Sequence, residues 1–199
     1  MKKLLLLFII VVAFNSCTSD DDALNPRDGS LDSVANFLSE DLLNTLQNLG
    51  FEINTGRTPP NIEGEFLISD FELFASDVEA DVIGTIFSDY TTIFSNQDNT
   101  ELTVDYSGAG GPQTDDSLES YLIGDGQQFT FLSKLTSQIS GVPVESGIAI
   151  SGTISNEGII DIKAAFLMID DNGDPYDIYD VENNQGRVFI DSDGFSPRQ

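Results

Sequence analysis

Between Glu101 and Gly108 the chain reads ELTVDYSG, which sets Leu102, Val104 and Tyr106 against Thr103, Asp105 and Ser107. Alternation with period two belongs to β-strands, because successive side chains point to opposite faces of a sheet. Similar alternation, or a short apolar run, recurs near 62–68, 71–76, 84–95, 118–123, 128–135, 147–154, 159–169 and 187–191. Turn-forming clusters stand between these segments: SDVEAD, SNQDNTE, SGAGGPQTDD, GDGQ, SNEG and DDNGDP. Long helical crossovers are missing, so a parallel α/β sheet is not expected. The pattern predicts an all-β antiparallel meander of roughly eight to ten strands within a single domain over 31–199.

Such a meander can close or split. Closure removes exposed edges and gives an up-and-down barrel of calycin type, the expected form; a β-sandwich is the alternative. The chain has no tryptophan, so the Gly-x-Trp signature of lipocalins is absent. GIIDIKAAFLMID, from Gly158, is apolar on both faces along part of its length, which requires a second covering layer. A candidate cover precedes the strands. In 31–49, Leu31, Val34, Leu38, Leu42, Leu46 and Leu49 recur at threes and fours, with Ser30 as N-cap and Gly50 just past the end. One amphipathic helix is predicted there, packed on the domain, because it lacks the basic face of a membrane-surface helix.

Composition excludes whole classes of function. With 34 acidic and 8 basic side chains, the net charge is -26. Nucleic acid binding draws its affinity from Lys and Arg on phosphates, so a nucleic acid partner is not expected. Self-repulsion at this charge favours solubility and a monomer. The chain has no histidine, and its single cysteine is Cys17. Imidazole metal sites, Ser-His and Cys-His catalysis, disulfides and zinc clusters are therefore impossible in the strand-forming region.

Among the acidic clusters, DDNGDPYDIYD is the most suggestive. Asp170, Asn172 and Asp174 have the D-x-N-x-D spacing with which calcium loops present oxygen ligands. The EF-hand's sixth and twelfth positions are here Pro175 and Val181, so that loop type is excluded. A turn on Asn172-Gly173 is the plainer reading, with weak Ca²⁺ binding as the alternative and no other cofactor expected. DSDG, from Asp191 to Gly194, also reads as a turn, and Asp77, Glu79 and Asp81 as decoration of a solvated loop. Asp70/Glu72 and Asp177/Asp180 are carboxylate pairs of the kind glycoside hydrolysis needs, but nothing sets either apart from so many other acids.

At the N-terminus Lys2 and Lys3 precede an apolar run from Leu4 to Phe14, the layout of a secretory signal over 1–16. As a helix the run would span about 16 Å, against a hydrocarbon core of about 30 Å, which is too short to cross. Ser16-Cys17 closes it and resembles the lipobox of bacterial lipoproteins, with Phe14 and Asn15 departing from the commonest residues. The resemblance implies a lipidated Cys17 as mature N-terminus, with acyl chains holding the protein to a membrane. Residues 17–30, including TSDDDALNPRDGS, then form a flexible acidic tether. SDDD resembles the export signal of Bacteroidetes lipoproteins, which implies the outer membrane and exposure at the cell surface, the periplasmic face being the alternative.

TPPNIEG, ISGTISNEGI and GRVFIDSDGF resemble segments of uncharacterised Bacteroidetes lipoproteins across most of 55–195. That resemblance implies location and fold class but no activity. The expectation for function is a non-enzymatic, membrane-anchored envelope lipoprotein that binds an apolar small molecule or a protein partner. Its motive is the 14 Phe and 5 Tyr, some of which would line a cavity. The alternatives are a structural or accessory lipoprotein without a small-molecule site and, less favoured, a carboxylate-dependent glycan hydrolase. An apolar cavity of a few hundred Å³ supports the first; a filled interior ends it.

Overall fold

In a computed structural model, residues 27–111, 113–117, 119–139, 142–173 and 180–199 are described, and every pairing among their named strands is antiparallel. The strands are β1 (Gly64–Ile68), β2 (Phe71–Ser76), β3 (Tyr90–Asp98), β4 (Thr103–Gly110), β5 (Gln113–Asp116) and β6 (Glu119–Asp125). They continue with β7 (Gln128–Ile139), β8 (Val142–Ile154), β9 (Gly158–Asp170), β10 (Gly186–Asp191) and β11 (Phe195–Pro197). Short turns join many of them, as the sequence clusters require. β6 and β7 meet at Asp125 opposite Gln128, and the turn between them has Gly126 at φ +63°. Glycine adopts that left-handed conformation without steric cost.

The expected barrel does not form. The strands divide into a four-stranded sheet, β1-β3-β4-β5, and a seven-stranded sheet, β2-β10-β9-β8-β7-β6, with β11 paired to β9. The division begins at Ser69-Asp70, where the chain turns with Asp70 at φ +45°. β1 then pairs with β3, while β2 crosses to the other sheet and pairs with β10. The sheets touch at two corners, Leu122 N–H donating to Leu102 C=O (2.8 Å) and Gln199 N–H to Glu65 C=O (2.9 Å). The architecture is the β-sandwich alternative.

Between the sheets lies an aromatic and aliphatic core that includes Phe66, Phe94, Phe129, Phe131, Leu122 and Ile162. The outer face of the large sheet is also buried, as the doubly apolar β9 requires. There Tyr121, Leu132, Ala149, Ala165, Leu167 and Val188 pack under the N-terminal helical segment. That segment is two helices rather than one: α1 (Leu31–Phe37) and α2 (Glu40–Asn48). Ser39 is extended between them, and its Oγ accepts the Leu42 N–H (3.2 Å) as the N-cap of α2. Ser30 caps α1 through the Ser33 N–H, and Gly50 ends the unit at φ +74°. Among the described residues no helix is long and apolar enough to cross a membrane.

Candidate functional site

Four strands cannot cover the inner face of a wider sheet, and at one end of the sandwich the shortfall leaves a cleft of about 330 Å³. Its floor is the inner face of the large sheet, with Ile148 and Ile150 on β8, Ala164 and Phe166 on β9, Arg187 and Phe189 on β10, and Phe71 on β2. Tyr90, Tyr106 and Gly110 close it from the small sheet, and Phe87 and Ser88 from the β2–β3 connection.

The rings are held in place by one another. Phe71 stacks on Phe189 (4.5 Å between centroids) and on Tyr90 (5.6 Å), and Phe87 meets Phe189 edge-on (5.4 Å). Tyr90 and Tyr106 share a buried hydrogen bond between their hydroxyls (2.6 Å). β4 makes room for this pair by carrying glycine beside it. A Cβ at Gly108 would collide with both hydroxyls, and one at Gly110 would lie 2.6 Å from Tyr90 Cδ2.

Arg187 is the one cation in the described lining. Arg187 donates from Nε to Asp81 Oδ2 (2.6 Å) and from Nη2 to Asp81 Oδ1 (2.8 Å), and Ser76 Oγ donates to Asp81 Oδ2 (2.6 Å). The Arg187 hydrogen bonds hold the Asp81 carboxyl below its ordinary pKa, against the opposing effect of burial. Asp81 is thus no solvated loop acid, unlike the exposed Glu79. Asp77 is exposed, yet its Oδ1 accepts the Gly186 N–H (2.8 Å).

Beyond Asp81 the chain forms a lip. Val82, Ile83, Ile86 and Phe87 are all exposed, Val82 to 70%. The segment is nonetheless built onto β2: Gly84 N–H donates to Leu73 C=O (2.9 Å), Leu73 N–H to Thr85 C=O (2.9 Å) and Phe87 N–H to Phe71 C=O (2.8 Å). Clustered apolar exposure on an ordered segment is a signal of binding, unlike apolar residues scattered singly.

The residues singled out from sequence lie elsewhere. Cys17 and the segments 1–16 and 17–26 fall outside the described residues, as do Asp174 and Asp177. Asp170 Oδ1 accepts the Asn172 N–H (2.7 Å), and Asp171 Oδ1 accepts the Gly173 N–H (2.7 Å). Asn172 and Gly173 have φ of 53° and 73°, so a turn starts here, but β10 begins only at Gly186 and the connection is no two-residue hairpin. Among the described residues no group of three acidic side chains is placed to hold a metal ion. Asp70 and Glu72 are not in the cleft, whose described lining contains no carboxylate. DSDG is a turn, closed by Gly194 N–H to Asp191 C=O (3.0 Å).

Asp191 itself points into the sandwich. Its Oδ2 accepts Ser69 N–H (3.2 Å) and Ser196 Oγ (2.8 Å), while Oδ1 is buried with no partner in the structure. Burial pushes its pKa up. No family model, curated protein or solved structure matches the chain at a significant level.

Proposed function

We propose that this protein is a non-enzymatic, lipid-anchored lipoprotein of the bacterial outer membrane that binds an apolar small molecule in the cleft between its sheets. The observation that carries the binding reading is the cleft: about 330 Å³, walled by Phe71, Tyr90, Tyr106, Phe166 and Phe189. Its volume lies at the lower end of the range for small-molecule sites, roughly 300–1,000 Å³, and its described lining is mostly apolar. The anchor reading rests on Ser16-Cys17 after the Leu4 to Phe14 run, and the surface location on the aspartates that follow.

Native mass spectrometry of the full chain, purified from its own membrane, tests the binding reading. An organic molecule retained by the native chain and lost in Ala164→Phe supports it. A native chain with no adduct, whose cleft also takes up no apolar probe, overturns it. Cys17→Ser tests the anchor separately: the protein is expected to move from the membrane to the soluble fraction, with the acyl mass lost. Continued membrane association without that mass change would count against lipidation.

The lip favours a second reading, an envelope protein docked on Val82, Ile83 and Ile86. Ile83→Asp distinguishes the two, because it removes apolar contact area on the lip without touching the cleft wall.

A further inference from the structure

An arginine in the wall of an apolar cleft is ordinarily an anion receptor. Its planar fork of N–H donors matches a carboxylate or phosphate bidentately, as for a fatty acid or a phosphorylated headgroup. Here that fork already holds a carboxylate of the chain itself, at 2.6 and 2.8 Å. We propose that the cleft selects an uncharged ligand, and that Asp81 makes the selection by holding Arg187 in a closed ion pair. This rests on the binding reading above and specifies the ligand class for the same site.

The pair is fixed from both sides. Ser76 Oγ donates to Asp81, and Asp81 N–H donates to Val78 C=O (3.1 Å), so the carboxylate is set in a turn before the lip. Gly186, next to Arg187, donates its N–H to Asp77 Oδ1 (2.8 Å), which clamps the same turn onto the start of β10. The side chains of Arg187 and Asp81 are only 22% and 13% exposed. A ligand anion that captured Arg187 would leave the mostly buried Asp81 carboxylate with the Ser76 hydroxyl but no cation, a loss the new contact must exceed.

Acidic residues adjoin the cleft and its lip. Asp89 follows the cleft residue Ser88, and its Oδ1 accepts the Asp70 N–H (3.3 Å). Glu72 pairs through its backbone with Ile86 of the lip. Arg187 is the one cation in the described lining, on a chain of net charge -26. An approaching anion meets a negative field. A cationic ligand fares no better inside, because the described lining offers no carboxylate to receive it.

Two fluorescent probes of nearly the same shape separate the classes: neutral N-phenyl-1-naphthylamine and anionic 8-anilinonaphthalene-1-sulfonate. Titrated into the purified full chain, the neutral probe is expected to bind saturably at one site and the sulfonate at least about tenfold more weakly. Ala164→Phe removes neutral-probe binding. Asp81→Asn frees Arg187, and sulfonate affinity then rises at least about tenfold while the neutral probe is unchanged.

Equal binding of both probes to the native chain overturns the charge selection and leaves the binding reading intact. No binding of the neutral probe overturns the reading beneath it. A folded Asp81→Asn protein that still excludes the sulfonate overturns the role given to Asp81. Should that variant not fold, competition on the native chain decides: decanol is expected to displace the neutral probe and decanoate is not, and equal displacement sinks the proposal.

Discussion

On its outer face the seven-stranded sheet lies under α1 and α2, and Val34, Leu42, Leu46, Tyr121 and Val188 are sealed there almost completely. On its inner face it lies under only four strands, and an aromatic cleft remains. Sheet geometry accounts for the difference. At about 4.8 Å between neighbours, the path from β2 to β6 is about 24 Å wide, whereas β1 to β5 is about 14 Å. The missing 10 Å or so is bridged by the β2–β3 connection, whose backbone reaches β2 but whose apolar side chains Val82, Ile83 and Ile86 point outward. One cover fits the sheet and the other does not, so the first face is sealed and the second keeps an open cleft.

The contrast is most easily broken by truncation. Leu46→Ala, under the helices and 0% exposed, is expected to cost about 2–5 kcal/mol in urea unfolding, because a well-packed site cannot collapse around the void. A loss below about 1 kcal/mol would mean that the helical cover is dispensable. Tyr121→Phe comes next. Its hydroxyl lies 2.9 Å from the Gly29 nitrogen and 2.6 Å from Ser33 Oγ, so removing it orphans the buried Gly29 N–H at the chain's entry into α1, while Ser33 Oγ keeps its bond to Ser30 C=O (2.7 Å). About 1–3 kcal/mol is expected, with little change in circular dichroism.

Overpacking sharpens the comparison within one sheet. Ala149 is fully buried on the outer face among the residues packed under the helices, and Ala149→Leu is expected to destabilise by about 1–3 kcal/mol. Ala164 faces the cleft, and there Ala164→Leu is expected to be close to neutral in stability while lowering neutral-probe affinity at least about tenfold. Equal costs at the two alanines would show that the cleft wall is as tightly packed as the helix-covered side.

Much of this was legible in sequence and some was not, for physical reasons. Strands and turns follow from local alternation and turn chemistry, so β4, the β6–β7 turn and the doubly buried β9 stand where the pattern put them. The two helices were legible in retrospect, since Ser39-Glu40-Asp41 is an N-cap followed by first-turn acids inside the apolar repeat. Barrel or sandwich was not legible. It depends on β2 choosing β10 over β1, a pairing between segments more than 100 positions apart, on which local pattern is silent. The cleft was hidden for the same reason: parity says that Phe71 and Phe189 face inward, but not how many strands lie opposite. Asp81 looked like one acid among many because its partner Arg187 is 106 positions away.

The two faces differ once more in how their buried polar atoms are satisfied, and that difference is readable by pH. Under the helices, Tyr121 and Ser33 are mutually hydrogen-bonded, whereas between the sheets Thr92 Oγ1 and Asp191 Oδ1 lack partners in the structure. Burial raises the Asp191 pKa above its ordinary 3.8, so in the acid range the folded protein holds a proton there that the unfolded chain has already released. Its favourable contribution is therefore full below pH 3.8 and is lost as pH rises through the folded value. Asp81 has the opposite sign: its folded pKa lies below 3.8, so its contribution is present above 3.8 and is lost as pH falls through the folded value. Unfolding in urea at a series of pH values separates the two. Asp191→Asn keeps an acceptor for Ser69 and Ser196 but cannot ionise, and native stability is expected to gain on it as pH falls from neutral to about 4. Asp81→Asn should be weaker than native at neutral pH, by an amount that shrinks only as the pH drops below 3.8. If the native and Asp191→Asn curves run parallel throughout, the orphaned oxygen is solvated, and the inner interface is wet at Asp191 as well as open at the cleft.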